Sequence, residues 1–165
     1  MIALGKILVA TDFSAASATA LAYAGELART FGARLRILHV VENTLTRTFG
    51  PDGYIVADPD LQRDIETSAR CHLNALLSEP DRDMLGAESV IVASNSPAMA
   101  IADYAREEQV DLIVMGTHGR GAVAHLLLGS VAERVVRIAP CPVLTVRHPE
   151  REFVQADALV AVASA

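Results

Sequence analysis

An open parallel α/β sheet covered by helices on both faces is the fold this sequence predicts, and three observations predict it. Five short apolar runs rich in Val, Ile and Leu recur along the 165 residues. They are continuous rather than alternating, the pattern of strands buried on both faces. Stretches with helical spacing separate them, and β-α-β alternation of this kind builds a parallel sheet through right-handed crossovers. The length fits one domain, and a chain this size buries roughly two-thirds of its unfolded surface without a metal or disulfide staple.

The elements follow in order. Lys6-Ile7-Leu8-Val9-Ala10 is the first strand, ending at polar Thr11-Asp12. From Ser14 to Phe31 the chain is Ala-rich, with Leu21, Ala24, Ala28 and Phe31 at helical spacing and Gly32 placed as a C-terminal cap. Arg34 to Val41 is the second strand. Residues 42–59 read as a loop, punctuated by Gly50-Pro51-Asp52-Gly53 and Asp58-Pro59. Leu61, Ile65, Ala69, Leu73 and Leu76 then lay an apolar stripe on a helix ending near Glu79-Pro80. Ser89 to Ala93 is the third strand. Ser96-Pro97 starts a helix with a capping hydroxyl and a proline at the first helical position, and that helix runs to about Glu108. Val110 to Met115 is the fourth strand, Gly116 to Gly121 a glycine-rich turn, and Ser130 to Ile138 the last helix. Pro140 and Pro142 bracket the approach to a fifth strand, Val143 to Val146. With no internal repeat or linker, the chain divides into one domain over residues 1–148 and a tail over 149–165. From Phe153 onward the tail is apolar, with Asp157 its only charge, and it reads equally as a frayed terminus or as a clasp on a partner.

Charge and composition narrow the function. Fourteen basic against twenty acidic side chains leave a net charge of −6, which argues against a nucleic-acid-binding surface. Thirteen of the basic residues are arginine, and Lys6 is the only lysine. There is no Trp, and Ala, Val, Leu and Ile carry the core. Cys71 and Cys141 are too few and too far apart for a disulfide framework or a zinc site. Cys71 falls near the buried stripe of its helix, and Cys141, between prolines, lacks the base a nucleophile needs. His39 and His72 have no second ligand at i+3 or i+4 on a shared face, so no metal site is expected there. Asp58, Asp60, Asp81 and Asp83 read as turn and cap acids, and Glu107-Glu108 as a solvent-facing helix end. No signal peptide is visible, and no apolar run approaches ~18 residues. These features lead to the expectation of a cytoplasmic protein with no membrane partner.

In open α/β sheets ligands sit beyond the carboxyl ends of the strands, where the strand order reverses, so the loops after Ala10, Val41 and Met115 matter most. The third of these packs Gly116, Gly119 and Gly121 around Thr117, His118 and Arg120. Gly129-Ser130 then opens the helix Val131-Ala132-Glu133-Arg134-Val135, and a helix N-terminus with a facing glycine loop is a ready phosphate site. Three other readings compete. Gly116 to Gly121 fits G-x-x-x-x-G, but Ala122-Val123 stand where a P-loop needs Lys and Ser or Thr. Gly119 to Ala124 fits G-x-G-x-x-A, but no strand followed by an acid lies ~20 residues on. The glycines could also simply turn a chain corner.

Gly116-x-x-Gly119-x9-Gly129-Ser130, following Asp111-Leu112-Ile113-Val114-Met115, resembles the nucleotide-binding signature of the universal stress protein family. Lys6 to Ser14 and Ala139-Pro140-Cys141-Pro142-Val143-Leu144 resemble the family as well, so that the likeness spans about residues 4–147. The resemblance implies a Rossmann-like sheet of order 3-2-1-4-5, a dimer, and membership of the ATP-binding group. The reversal then lies between strands one and four. It implies Ala10, Thr11 and Asp12 beside the nucleoside, Val40 holding adenine through its backbone, and Met115 and Gly116 on the base and ribose side. His118, Gly119, Arg120, Gly129, Ser130 and Val131 would surround the phosphates. Asp12 has a second possible task, capping the first helix together with Ser14.

The expected function is therefore that of a nucleotide-dependent stress or regulatory protein whose ATP-bound state is sensed by a protein partner, with at most slow hydrolysis. AMP or ADP could replace ATP. A magnesium or manganese ion would be held by the phosphates, Ser130 and water rather than by a protein cage. The alternative is a dimeric interaction scaffold whose site is empty or takes AMP or cyclic AMP, and a true ATPase or kinase is a third class. The apolar edge strand Val143-Leu144-Thr145-Val146 suggests a homodimer, since left bare it would invite aggregation.

Overall fold

Apolar runs flanked by helix-capping residues become a layered α/β domain. The computed structural model describes residues 2–46, 48–49, 54–55, 58–117 and 129–148. Its elements are β1 (Lys6–Ala10), α1 (Ala15–Phe31), β2 (Arg34–Val41), a 3-10 turn (Thr44–Thr46), β3 (Thr48–Phe49), β4 (Tyr54–Ile55), α2 (Pro59–Ala75), α3 (Glu79–Met84), β5 (Glu88–Ala93), α4 (Pro97–Glu107), β6 (Leu112–Gly116), α5 (Ser130–Ile138) and β7 (Val143–Val146). Five strands form one sheet in the order β5-β2-β1-β6-β7. Every neighbouring pair is parallel. Counted within this sheet, the order is 3-2-1-4-5, and the strand order reverses between β1 and β6. Ala10, the last residue of β1, pairs with Leu38 on one side and Met115 on the other.

Two apolar layers hold the sheet. Ile7, Val9, Leu35 and Ile37 pack with Ala20, Leu21, Ala24 and Ala28 of α1 and Leu73 of α2. Leu8, Leu38, Ile113 and Met115 pack on the opposite face with Ala98, Ile101 and Ala105 of α4 and with Ala132 and Val135 of α5. Small alanines on the helix faces leave room for close approach to the strands. Helix α1 starts at Ser14, whose side chain accepts from the Ser17 N–H, and ends at Gly32, which adopts a left-handed φ of 65°. At the amino end of β1, Asp111 accepts from the backbone N–H groups of Gly5 and Lys6. The ammonium of Lys6 pairs with Glu108 at the end of α4. The only lysine is thereby fixed at the end of β1 opposite to Asp12.

Several local expectations are corrected. Residues 42–59 are not a plain loop, because they contain the 3-10 turn and the antiparallel pair of β3 with β4. The helix after Asp58 stops at Ala75, and Glu79-Pro80 begins α3 instead of ending α2, since Ser78 caps it by accepting from Asp81 N–H. On α2 it is Gln62 that is buried, while Leu61 is exposed; the Gln62 amide oxygen accepts from both the N–H and the hydroxyl of Thr44. Cys71 is exposed and Phe31 is largely outside the core. Ser96 precedes α4 without a side-chain capping bond. Asp81 is an acid of the first turn of α3, as expected, accepting from the hydroxyl of the capping Ser78, and it is also a buried partner of Arg29, 3.0 Å away. Glu107 faces solvent as expected, and Glu108, itself partly exposed, also pairs with Lys6. The fourth strand begins at Leu112, two residues late, because Gln109 takes a left-handed φ of 53° after α4 and Val110 bonds back to Ala105. No helix among the described residues is long and apolar enough to cross a membrane. The 149–165 tail lies outside the described residues.

Candidate functional site

The carboxyl ends of β1 and β6 lie side by side where the sheet reverses, and an α-helix begins on each face beside them. After Ala10 the chain leaves β1 through Thr11, whose N–H still donates to Leu38 O at 2.9 Å. Thr11 is buried. Its hydroxyl lies 3.0 Å from that of Ser17 and accepts from the Phe13 N–H at 3.0 Å. Asp12 follows, half-buried, and one carboxylate oxygen accepts from the N–H (3.1 Å) and the hydroxyl (2.6 Å) of Ser14. That arrangement is an Asx turn feeding the Ser14 cap of α1. Asp12 thus steadies the start of the helix indirectly, while Ser14 makes the capping bond itself. Phe13 between them has a φ of 64°, a left-handed conformation that is rare for a bulky side chain.

At the ends of β1 and β6, Ala10 and Met115 are both buried against the α4–α5 layer. Gly116 meets α1. A Cβ built there would stand 2.9 Å from the backbone carbon of Ala16, so only glycine lets the first turn of α1 approach the end of β6. Thr117 is buried, its N–H donates to Val146 O at 2.8 Å, and its own carbonyl accepts from the Gly129 N–H at 2.6 Å. Gly129 then serves as the N-cap of α5, with extended φ and ψ and no side chain to cap it. The first N–H groups of a helix have no intrahelical acceptor, and those of Ser130, Val131 and Ala132 occupy this position beside the end of β6. Ser130 is exposed and Val131 half-buried.

Val40, the residue before the last of β2, packs on the α4–α5 face, one strand removed from β6. Ala10, Thr11, Asp12, Met115, Gly116, Gly129, Ser130 and Val131 are brought to one edge by β1, β6 and α5, with Val40 at its flank. His118, Gly119 and Arg120 lie outside the described residues. Among the described residues no three His, Cys, Asp or Glu side chains cluster closely enough to hold a metal ion. Burial pushes the Cys141 thiol above its ordinary range, and a thiol kept protonated is a poor nucleophile.

Thr117, Ser14, Ser17, Phe13 and His39 also belong to this edge and were not legible as site residues. The spaced hydroxyls after Asp12 were a usable signal for Ser14 and Ser17. A positive φ at phenylalanine, and the His39 contact described below, leave no mark in composition or spacing.

The family model described as the universal stress protein family matches residues 4–147. A universal stress protein of Thermus aquaticus, encoded in the QAH/OAS sulfhydrylase 3′ region, is 40% identical over 145 residues, covering 86% of this chain and 97% of the relative. Among solved structures, the universal stress protein UspA from Lactobacillus plantarum superposes with a TM-score of 0.71 at 27% identity, covering 89% of this chain and all of that one. A universal stress protein crystallised in complex with cAMP matches with a TM-score of 0.59 at 25% identity, covering 88% and 98%.

Proposed function

The chain belongs to the universal stress protein family, and from that premise we propose that it binds an adenine nucleotide, ATP foremost, between the carboxyl ends of β1 and β6, acting as a nucleotide-dependent stress or regulatory protein. The observation that carries this reading is the start of α5: a glycine N-cap, drawn to Thr117 O by its own N–H, leaves the donors of a nine-residue helix beside the sheet reversal. Such donors and the partial positive charge of the helix end favour phosphate. The cAMP-bound relative supports the choice of an adenine nucleotide.

In this reading adenine rests by the Val40 backbone with Ala10, Thr11 and Met115 behind it, and Asp12 accepts from ribose hydroxyls, the usual work of a carboxylate at such an edge. Gly116 keeps the β6 end narrow. Ser130, Val131 and the Gly129 cap receive the phosphates, with His118, Gly119 and Arg120 completing the cradle from the glycine loop. A magnesium or manganese ion bound with the nucleotide would neutralise phosphate charge, taking oxygens from the phosphates, water and the Ser130 hydroxyl. Hydrolysis is at most slow: Lys6, the one lysine, is engaged at the far end of β1. The site works as a sensor read by other proteins.

Isothermal titration with Mg-ATP tests this. One site per chain is expected in the wild type, with affinity reduced at least about tenfold in Gly129→Asp, whose carboxylate would occupy and repel at the phosphate position. No heat with ATP, AMP or cyclic AMP would overturn the reading. Tighter binding of AMP or cyclic AMP than of ATP would favour the second reading, a scaffold responding to those ligands, for which the cAMP-bound relative speaks.

A further inference from the structure

We propose that His39 is a positioning residue for the nucleotide edge, holding the β1–α1 turn so that Asp12 stands at a fixed distance from Val40; this rests on the nucleotide reading above. Three contacts converge on that turn. His39 Nδ1 lies 2.7 Å from the carbonyl oxygen of Thr11. A carbonyl can only accept, so Nδ1 carries the proton, as it does in one neutral tautomer and in the imidazolium alike. The His39 ring also sits 4.3 Å from the Phe13 ring, centroid to centroid, tilted by 41°. His72 of α2 contacts Phe13 as well, at 5.3 Å.

The held conformation needs holding. Phe13 at a φ of 64° is strained, and such strain persists only where the surroundings over-determine it. Here the Phe13 N–H is bound to Thr11 Oγ1, its ring is engaged by two histidines, and the carbonyl of Thr11 is bound by His39. Asp12 is the residue between these two anchors. Val40, meanwhile, directly follows His39 in β2. One side chain therefore ties the residue expected at adenine to the residue expected at ribose, although it is not itself assigned to touch the ligand. If the turn relaxed, the Asp12 carboxylate would shift relative to the base while the sheet stayed intact.

The two functions of the imidazole separate by substitution. His39→Phe keeps a ring for Phe13 and loses the donor. His39→Asn keeps a donor where Nδ1 stood and loses the ring. The readout is the ratio of affinities for Mg-ATP and Mg-2′,3′-dideoxy-ATP, measured by titration calorimetry on the full chain. A merely destabilised protein keeps this ratio. We expect the wild type to prefer ATP by at least about tenfold, the size of a hydrogen bond to a charged group. His39→Phe should compress the preference to below about threefold, and His39→Asn should restore most of it. Should His39→Phe fail to fold by circular dichroism, Phe13→Ala, which removes the other anchor, is expected to compress the ratio in the same way. A wild-type ratio retained in the folded variant overturns the assignment of His39, as does a wild type that binds ATP without discriminating the hydroxyls. A wild type that binds no nucleotide overturns the nucleotide reading itself, and the role of His39 with it.

Discussion

Gly116 shapes the end of β6 through its close approach to α1. Its α-carbon faces the first turn of α1, and an added Cβ would meet Ala16 backbone at 2.9 and 3.1 Å. Backbone cannot swing away as a flexible side chain can, so either the helix or the strand must move. Gly116→Ala is therefore expected to lower stability by about 1–3 kcal/mol, the usual cost of overpacking, measured as a fall in the urea midpoint at unchanged slope. The shift of α1 should also carry Ser14, and with it Asp12, away from β6. At this scale the sequence was read only in part. The glycine pattern singles out the loop after β6, but Gly116 meets the backbone of α1, and Thr11, expected beside the nucleoside, has its hydroxyl engaged by Ser17 and Phe13.

Among the elements, α5 and its cap carry the proposed phosphate site. Gly129 already has the extended backbone of an N-cap, so an aspartate there would cap the helix and place a negative charge at its positive end. Gly129→Asp should stabilise the protein by a few tenths to about 1 kcal/mol while weakening ATP, an opposition that loss of folding could not produce. Thermal unfolding without ligand, set beside the titration, checks the pair of effects. The elements were largely legible: continuous apolar runs marked all five sheet strands, and Ser14, Gly32, Asp58 and the last helix start stand where expected. What escaped was set by tertiary contact. Gln62 is buried because Thr44 supplies two donors, and propensity cannot register a partner eighteen residues away in sequence. Ser78 opens a second helix where Pro80 had suggested an end, because proline is tolerated in a first turn.

For the whole molecule, the proposed nucleotide edge and the proposed dimer edge fall in different parts of the sheet. Reversal between β1 and β6 creates the ligand edge, and β7 is left at the sheet margin with Leu144 exposed and with Val136 of the neighbouring α5 exposed nearby in sequence. A homodimer through β7 is expected to be the associating unit, since a charged residue on an edge strand blocks such pairing. Leu144→Lys should weaken dimerisation at least about tenfold in sedimentation equilibrium while leaving ATP affinity within about twofold. The claim on which all of this depends is the location of the nucleotide. A crystal structure of the full chain grown with Mg-ATP measures it directly. Density is expected at the carboxyl ends of β1 and β6, with the base by Val40, the ribose by Asp12 and the phosphates over Ser130 and Val131. Nucleotide bound elsewhere on the molecule, or an edge free of it at saturating ATP, would contradict the account.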